Sequence, residues 1–113
     1  MTDDDAGYGP ITLINVFEIH PEDIEPFMRQ WEERAEFMAS QPGFRSLRIH
    51  RALSPDARFQ LVNVTEWDSA EALQAATTQD YYQQTAQEAM RTFEMMAHPG
   101  VYRVILEATR ESK

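Results

Sequence analysis
The sequence predicts an α+β domain on the ferredoxin-like β-α-β-β-α-β plan, and three observations carry the prediction. Residues 11–19, ITLINVFEI, and 58–67, RFQLVNVTEW, alternate side chains between two faces in a β-rich composition. Residues 24–38 and 82–97 instead set their apolar side chains at helical spacing. Turn-forming clusters, QPG at 41–43, SPDA at 54–57 and HPG at 98–100, separate these segments.

Each element follows from its residues. Strand one spans 11–19. His20-Pro21-Glu22-Asp23 reads as the start of a helix, with proline in the first turn and acids at the positive end of the dipole. Ile24, Phe27, Met28, Trp31, Ala35 and Met38 then define one buried stripe. Pro26 fits poorly inside that helix, so the helix kinks there or begins one turn later. Strand two covers 44–52 and strand three 58–67. Asp68-Ser69-Ala70-Glu71 resembles a capping box and opens a short helix to about Ala76. A further helix carries Tyr82, Ala86, Ala89, Met90, Phe93 and Ala97 on one stripe, His98-Pro99-Gly100 ends it, and strand four is expected at 101–109. In this four-stranded, antiparallel-type sheet, strands one and three are expected as parallel neighbours at the centre, joined through the first helix by a right-handed crossover.

Bulk properties bound the function. A chain of 113 residues builds one core; residues 1–9 are expected as a disordered acidic tail, 10–109 as the domain and 110–113 as a C-terminal tail. No stretch reaches the length of a membrane span, and the acidic start lacks the features of a signal peptide, which predicts a cytoplasmic protein. Without cysteine there is no disulfide, thiolate metal site or thiol nucleophile. A net charge of −9 with no basic stripe argues against nucleic acid.

The strand faces matter most. Leu13, Asn15 and Phe17 share one face of strand one, and Ile14 and Val16 the other. Strand three puts Phe59, Leu61, Asn63, Thr65 and Trp67 on one face and Val62 and Val64 on the second. Both faces are apolar, the pattern of a sheet covered on two sides, and the chain's helices cover only one. The expected cover for the Ile14, Val16, Val62 and Val64 face is a second copy of the sheet, giving a homodimer.

Asn15 and Asn63 therefore lie beneath the helices. A buried amide without partners costs about 1–3 kcal/mol. The two amides either bond to each other, backbone or water and pin the strands, or they face a ligand. Trp67, roughly 13 Å beyond Asn63 along an extended strand, favours a ligand cavity sized for three or four fused rings. Its walls are expected from Phe17, Met28, Trp31, Phe44, Leu61, Tyr82, Met90 and Phe93. A register that opposes Arg48 to Asn63 adds Arg48 and His50, whereas a one-residue slip sends both to the other side. Ordinary catalytic chemistry is sparse. His20, His50 and His98 lack metal-ligand spacing, the serines form no nucleophile motif, and the four glycines form no phosphate loop.

On LINVFEI, QPGFRSLRIHRAL and RFQLVNVTEWDSAEAL, the chain resembles the antibiotic biosynthesis monooxygenase family over about residues 10–107. Within it, the strands are similar to those of cofactor-independent anthrone oxygenases of aromatic polyketide pathways. That resemblance implies a dimeric α+β barrel and a substrate cavity lined by Asn15, Asn63 and Trp67. It also implies oxidation of an anthrone or phenol to a quinone through the substrate enolate, with molecular oxygen as co-substrate and no cofactor or metal. A tyrosine and an arginine seen in one described variant of the family site are replaced here by Leu73 and Gln87. Haem-degrading relatives use a helix histidine and tryptophan that EALQAATTQDYYQQTAQEAM lacks. The alternatives are a polyketide cyclase or isomerase, which needs a titratable base such as His50, or a non-catalytic ligand-binding module on the same fold.

Overall fold
The computed structural model describes residues 9–110. The chain forms β1 (Ile11–Ile19), a 3-10 turn (Pro21–Asp23), α1 (Ile24–Ala39), β2 (Phe44–Arg51), β3 (Leu61–Trp67), α2 (Ala70–Thr77), α3 (Asp80–Thr92) and β4 (Met95–Tyr102). The tails expected at 1–9 and 110–113 lie, apart from Gly9 and Arg110, outside the described residues. The fold is α+β and ferredoxin-like, one four-stranded sheet with the order β2-β3-β1-β4.

Strands β1 and β3 are central neighbours, but they run antiparallel, not parallel: Ile14 opposes Val64 and Asn15 opposes Asn63. The α1 crossover joins β1 to β2, and β3 returns between them, antiparallel to both. The sheet does not close on itself.

Local chemistry explains the boundaries. Pro26 is the third residue of α1, where its missing N–H has no intrahelical acceptor to lose. The preceding residues form the 3-10 turn, so the α-helix proper begins late. Ser69, not Asp68, caps α2, its hydroxyl accepting from the Ala72 N–H at 3.1 Å. Gly43, with φ +85°, ends the loop after α1; a methyl there would meet the Ala72 side chain at 2.5 Å.

The last strand differs most from expectation. α3 stops at Thr92, Phe93 is already extended, and β4 runs through His98-Pro99-Gly100 instead of starting after it. β4 is an edge strand, where proline is tolerated. Ala97 therefore belongs to the sheet, opposite Phe17. β3 likewise begins at Leu61 rather than 58. Gln60 turns inward, its amide donating to the carbonyls of Ser54, Pro55 and Ala57, and Phe59 flips to the opposite side, where its ring meets His98 edge-on.

All three helices cover one face. Beneath them lie two buried clusters, one around Phe17, Phe27, Trp31, Leu61 and Phe93, the other around Ile11, Leu13, Met38, Trp67 and Leu73. Phe27 is 1% exposed and touches the rings of Phe17, Trp31 and Phe93 at 5.7–5.8 Å between centroids. Truncating such an aromatic typically costs about 3–5 kcal/mol. On the opposite face Ile14, Val16, Val62 and Val64 are only half-buried, with no helix or strand of the described residues packed over them.

Candidate active site
Between α1, α3 and the β1–β4 half of the sheet lies a cavity of about 340 Å³. Asn15 and Phe17 of β1, Met95, Ala97 and Pro99 of β4, Phe27 and Arg34 of α1, and Tyr82, Ala86, Ala89 and Met90 of α3 line it. The α3 stripe read from the sequence supplies one wall, and alanines rather than larger residues at 86 and 89 leave the space open. Met90, 47% exposed, stands at the mouth. Ligand sites commonly span roughly 300–1,000 Å³, so this one suits a compact flat molecule.

Four buried side-chain polar atoms lack a partner among the described residues: Asn15 Oδ1, Asn63 Oδ1, Arg34 Nε and Trp31 Nε1. Such orphans are rare in folded proteins. The two asparagines oppose each other across β1 and β3, where facing side chains come within about 5.5 Å, yet their amides do not bond to each other. Each amide can rotate to offer either oxygen or N–H. Asn15 borders the cavity; Asn63, 3% exposed, sits beside it over β3 and is not part of its lining.

Arg34 is a cavity-lining residue that the sequence reading missed. It is 7% exposed, and its guanidinium carbon lies 4.4 Å from the centre of the Trp31 ring and 5.3 Å from that of Tyr82. No carboxylate of the described residues forms an ion pair with it. Burial pushes the guanidinium below its ordinary value, while Tyr82 and Tyr81 pull it upward. A signal was present: Ile24, Phe27, Trp31, Arg34 and Met38 are the buried face of α1, and a charge stands where the stripe calls for an apolar side chain.

The structure redistributes the other expected residues. Phe17, Tyr82 and Met90 line the cavity. Leu61, Trp31 and Phe93 are core beside it, and Met28 packs against that core. Trp67 is fully buried in the second cluster, donating its indole N–H to Thr65 Oγ1 at 3.0 Å and meeting Phe44 edge-on at 5.4 Å. It opposes Ile11, at the far end of β1, so neither Trp67 nor Phe44 reaches the cavity. Arg48 and His50 fall on the open face. A bulge between Phe44 and Ser46 sets a register in which Ile49, not Arg48, opposes Asn63, while Arg48 and His50 oppose Val64 and Val62. His50 Nδ1 lies 3.3 Å from the Val62 carbonyl oxygen.

The cavity can therefore grip a flat apolar body between rings, alanines and thioethers while offering an amide and a guanidinium to its oxygens. Among the described residues no group of three or more His, Cys, Asp or Glu is placed to hold a metal ion. No helix among them is long and apolar enough to cross a membrane.

Comparisons with known proteins agree with this architecture. A comparison with curated proteins finds none that matches. Among solved structures, the chain is similar to a putative monooxygenase from Shewanella loihica PV-4, at 32% identity and TM-score 0.70 over 88% of this chain and 97% of that one. It is also similar to SnoaB, a cofactor-independent oxygenase from Streptomyces nogalater, at 24% identity and TM-score 0.76 over 90% and 99%. A putative antibiotic biosynthesis monooxygenase from Caulobacter crescentus CB15 shares the fold at 14% identity and TM-score 0.75 over 92% and 97%. The antibiotic biosynthesis monooxygenase profile matches residues 10–88, most of the domain. The chain belongs to the antibiotic biosynthesis monooxygenase family.

Proposed function
We propose that the protein is a cofactor-independent monooxygenase that oxidises a polycyclic aromatic polyketide of anthrone or phenol type to the quinone with O2. The observation that carries the reading is the cavity itself. It is mainly apolar and sized for a flat ligand, and it is bordered by an Asn15 amide whose buried end has no partner and, turned over, presents an N–H. Family membership and the likeness to a cofactor-independent oxygenase support it.

Triplet oxygen reacts slowly with closed-shell molecules unless the substrate is a good one-electron donor. An anthrone becomes one by losing a methylene proton to give an aromatic enolate. One electron then passes to O2, the radical pair combines at the same carbon as a peroxide that takes a proton back to become the hydroperoxide, and loss of water leaves the second quinone carbonyl. One O2 is consumed and one water released. The protein's task is to favour the enolate and keep bulk water away. A hydrogen bond to a charged group contributes about 1.5–3 kcal/mol. At roughly 1.36 kcal/mol per pKa unit, one or two such bonds lower the substrate's pKa by about one to four units. No side chain with a catalytic pKa is required.

In this assignment Asn15 donates to the substrate's oxygen, and Asn63, opposite it on β3, flanks that donor. Phe17, Phe27, Tyr82 and Met90 hold the rings. Trp67, sealed away from the cavity, anchors the far end of β3 in the core. The enzyme is proposed to act in the cytoplasm as a homodimer, with a second copy over Ile14, Val16, Val62 and Val64. The chain beyond β4 is consistent with such a partner, since Ile105 is 95% and Leu106 87% exposed. A cyclase or isomerase using His50 is disfavoured, because His50 lies on the other side of the sheet from the cavity. The direct test is oxygen uptake with an anthrone, under chelator and without flavin. Uptake above the spontaneous rate with stoichiometric quinone is expected; uptake no faster than background refutes the assignment, as does product formed without oxygen consumption.

A further inference from the structure
We infer that Arg34 makes this cavity an anion site, so that the aromatic ligand is held with an ionised phenol or enolate oxygen against the guanidinium. The inference rests on the aromatic-ligand reading above and specifies which charge state of that ligand is bound. Four observations converge. Arg34 lines the cavity from α1, it is more than nine-tenths buried, and it has no carboxylate partner among the described residues. Its Nε is an orphaned donor.

A buried, uncompensated charge is costly, and folded proteins pair it or keep it for a ligand. The Trp31 and Tyr82 rings offset part of that cost through their π faces, and the Tyr82 hydroxyl lies within hydrogen-bonding reach of one guanidinium N–H. The remaining in-plane donors, the orphaned Nε among them, need an oxygen acceptor. Arg34 also borders a surface pocket with Glu33, Tyr81 and Glu88, neither carboxylate forming an ion pair with it. The cavity supplies space for an acceptor, and Asn15 on the opposing sheet provides a second polar contact for the same flat ligand. A guanidinium binds oxyanions far better than neutral ketones, because the bond is then charge-assisted on both sides. Arg34 is thus a specificity-determining residue that selects acidic polycyclic phenols over neutral ring systems of the same shape.

The probe is alizarin, a three-ring dihydroxyanthraquinone that turns from yellow to red as it ionises, compared with unsubstituted anthraquinone. Wild-type protein should bind ionised alizarin at least tenfold more tightly than anthraquinone and shift the bound dye's ionisation at least one pH unit below that of the free dye. Arg34→Met should abolish both effects, Arg34→Lys should restore part of each, and Ala86→Trp, which fills the cavity, should abolish dye binding. An apolar pocket without a usable cation would instead shift the ionisation upward, so wild-type protein alone can overturn the inference even where a variant does not fold. No dye binding, an unshifted or raised ionisation, persistence of the shift in Arg34→Met, or unaltered binding to Ala86→Trp each refutes it. Alizarin is already a quinone, so nothing here depends on turnover. Failed oxygen uptake with an intact ionisation shift would remove the oxygenase reading and leave the anion site standing.

Discussion
Replacing Asn15 with leucine, which keeps a similar branched shape, should make the free protein more stable and the enzyme worse. In the wild type the Asn15 oxygen is buried without a partner. Relieving such an orphan is worth about 1–3 kcal/mol, and because Asn15 is only half-buried the lower end, about 1 kcal/mol, applies. For a domain near 100 residues, about 1 kcal/mol raises Tm by roughly 4–8 °C. Turnover should move the other way. The lost donor contributes about 1.5–3 kcal/mol to the developing enolate, which at about 1.36 kcal/mol per decade is a fall of roughly 10- to 150-fold in kcat. Thermal melting of ligand-free protein and oxygen-electrode rates on the same preparation give both numbers. Asn15→Ala separates the loss of the donor from added bulk. A lower Tm together with unchanged kcat would mean that the amide is structural, and the reasoning fails.

The other predictions address different parts of the molecule. Asn63→Ala should lower kcat more than it raises KM, since Asn63 opposes Asn15 and acts through that donor, whose bond to developing charge strengthens on the way to the transition state; steady-state kinetics showing a KM effect alone contradicts this. Trp67→Phe should cost about 1–3 kcal/mol in denaturant unfolding through the lost bond to Thr65 and lost volume, while kcat per folded molecule stays unchanged. Light scattering at micromolar concentration should show a dimer for the wild type and a monomer for Ile14→Lys, which places a charge opposite Val64 on the open face. Glu18 lies 2.8 Å from His98 and 3.3 Å from Arg58, and hydrogen bonds from His98 first and Arg58 second hold its carboxyl below the ordinary glutamate value. A depressed carboxylate stabilises the fold above the ordinary range and loses that contribution as pH falls through its lowered value. Wild type should therefore melt higher than Glu18→Gln at neutral pH, with the gap closing in acid; a gap that persists there contradicts the assignment.

The order of elements, the covering of one sheet face by helices and the location of Asn15 beneath them were all readable from side-chain periodicity, because alternation and helical stripes are local properties of the chain. The α3 stripe through Tyr82, Ala86, Ala89 and Met90 became a wall of the cavity for the same reason. What sequence could not decide is whatever depends on a neighbouring segment. A single bulge at the start of β2 reverses the side on which Arg48 and His50 emerge, and nothing local records it. His98-Pro99-Gly100 reads as a stop, yet an edge position lets that proline sit in β4. Trp67 has the right face and spacing for a ligand, but α2 packs Leu73 and Ala76 into the space beside it. Arg34 is an ordinary helix arginine until the fold buries it between two rings at the edge of an empty volume. Periodicity fixes which side of its own element a residue faces; only packing fixes whether that side meets solvent, solid core or a cavity.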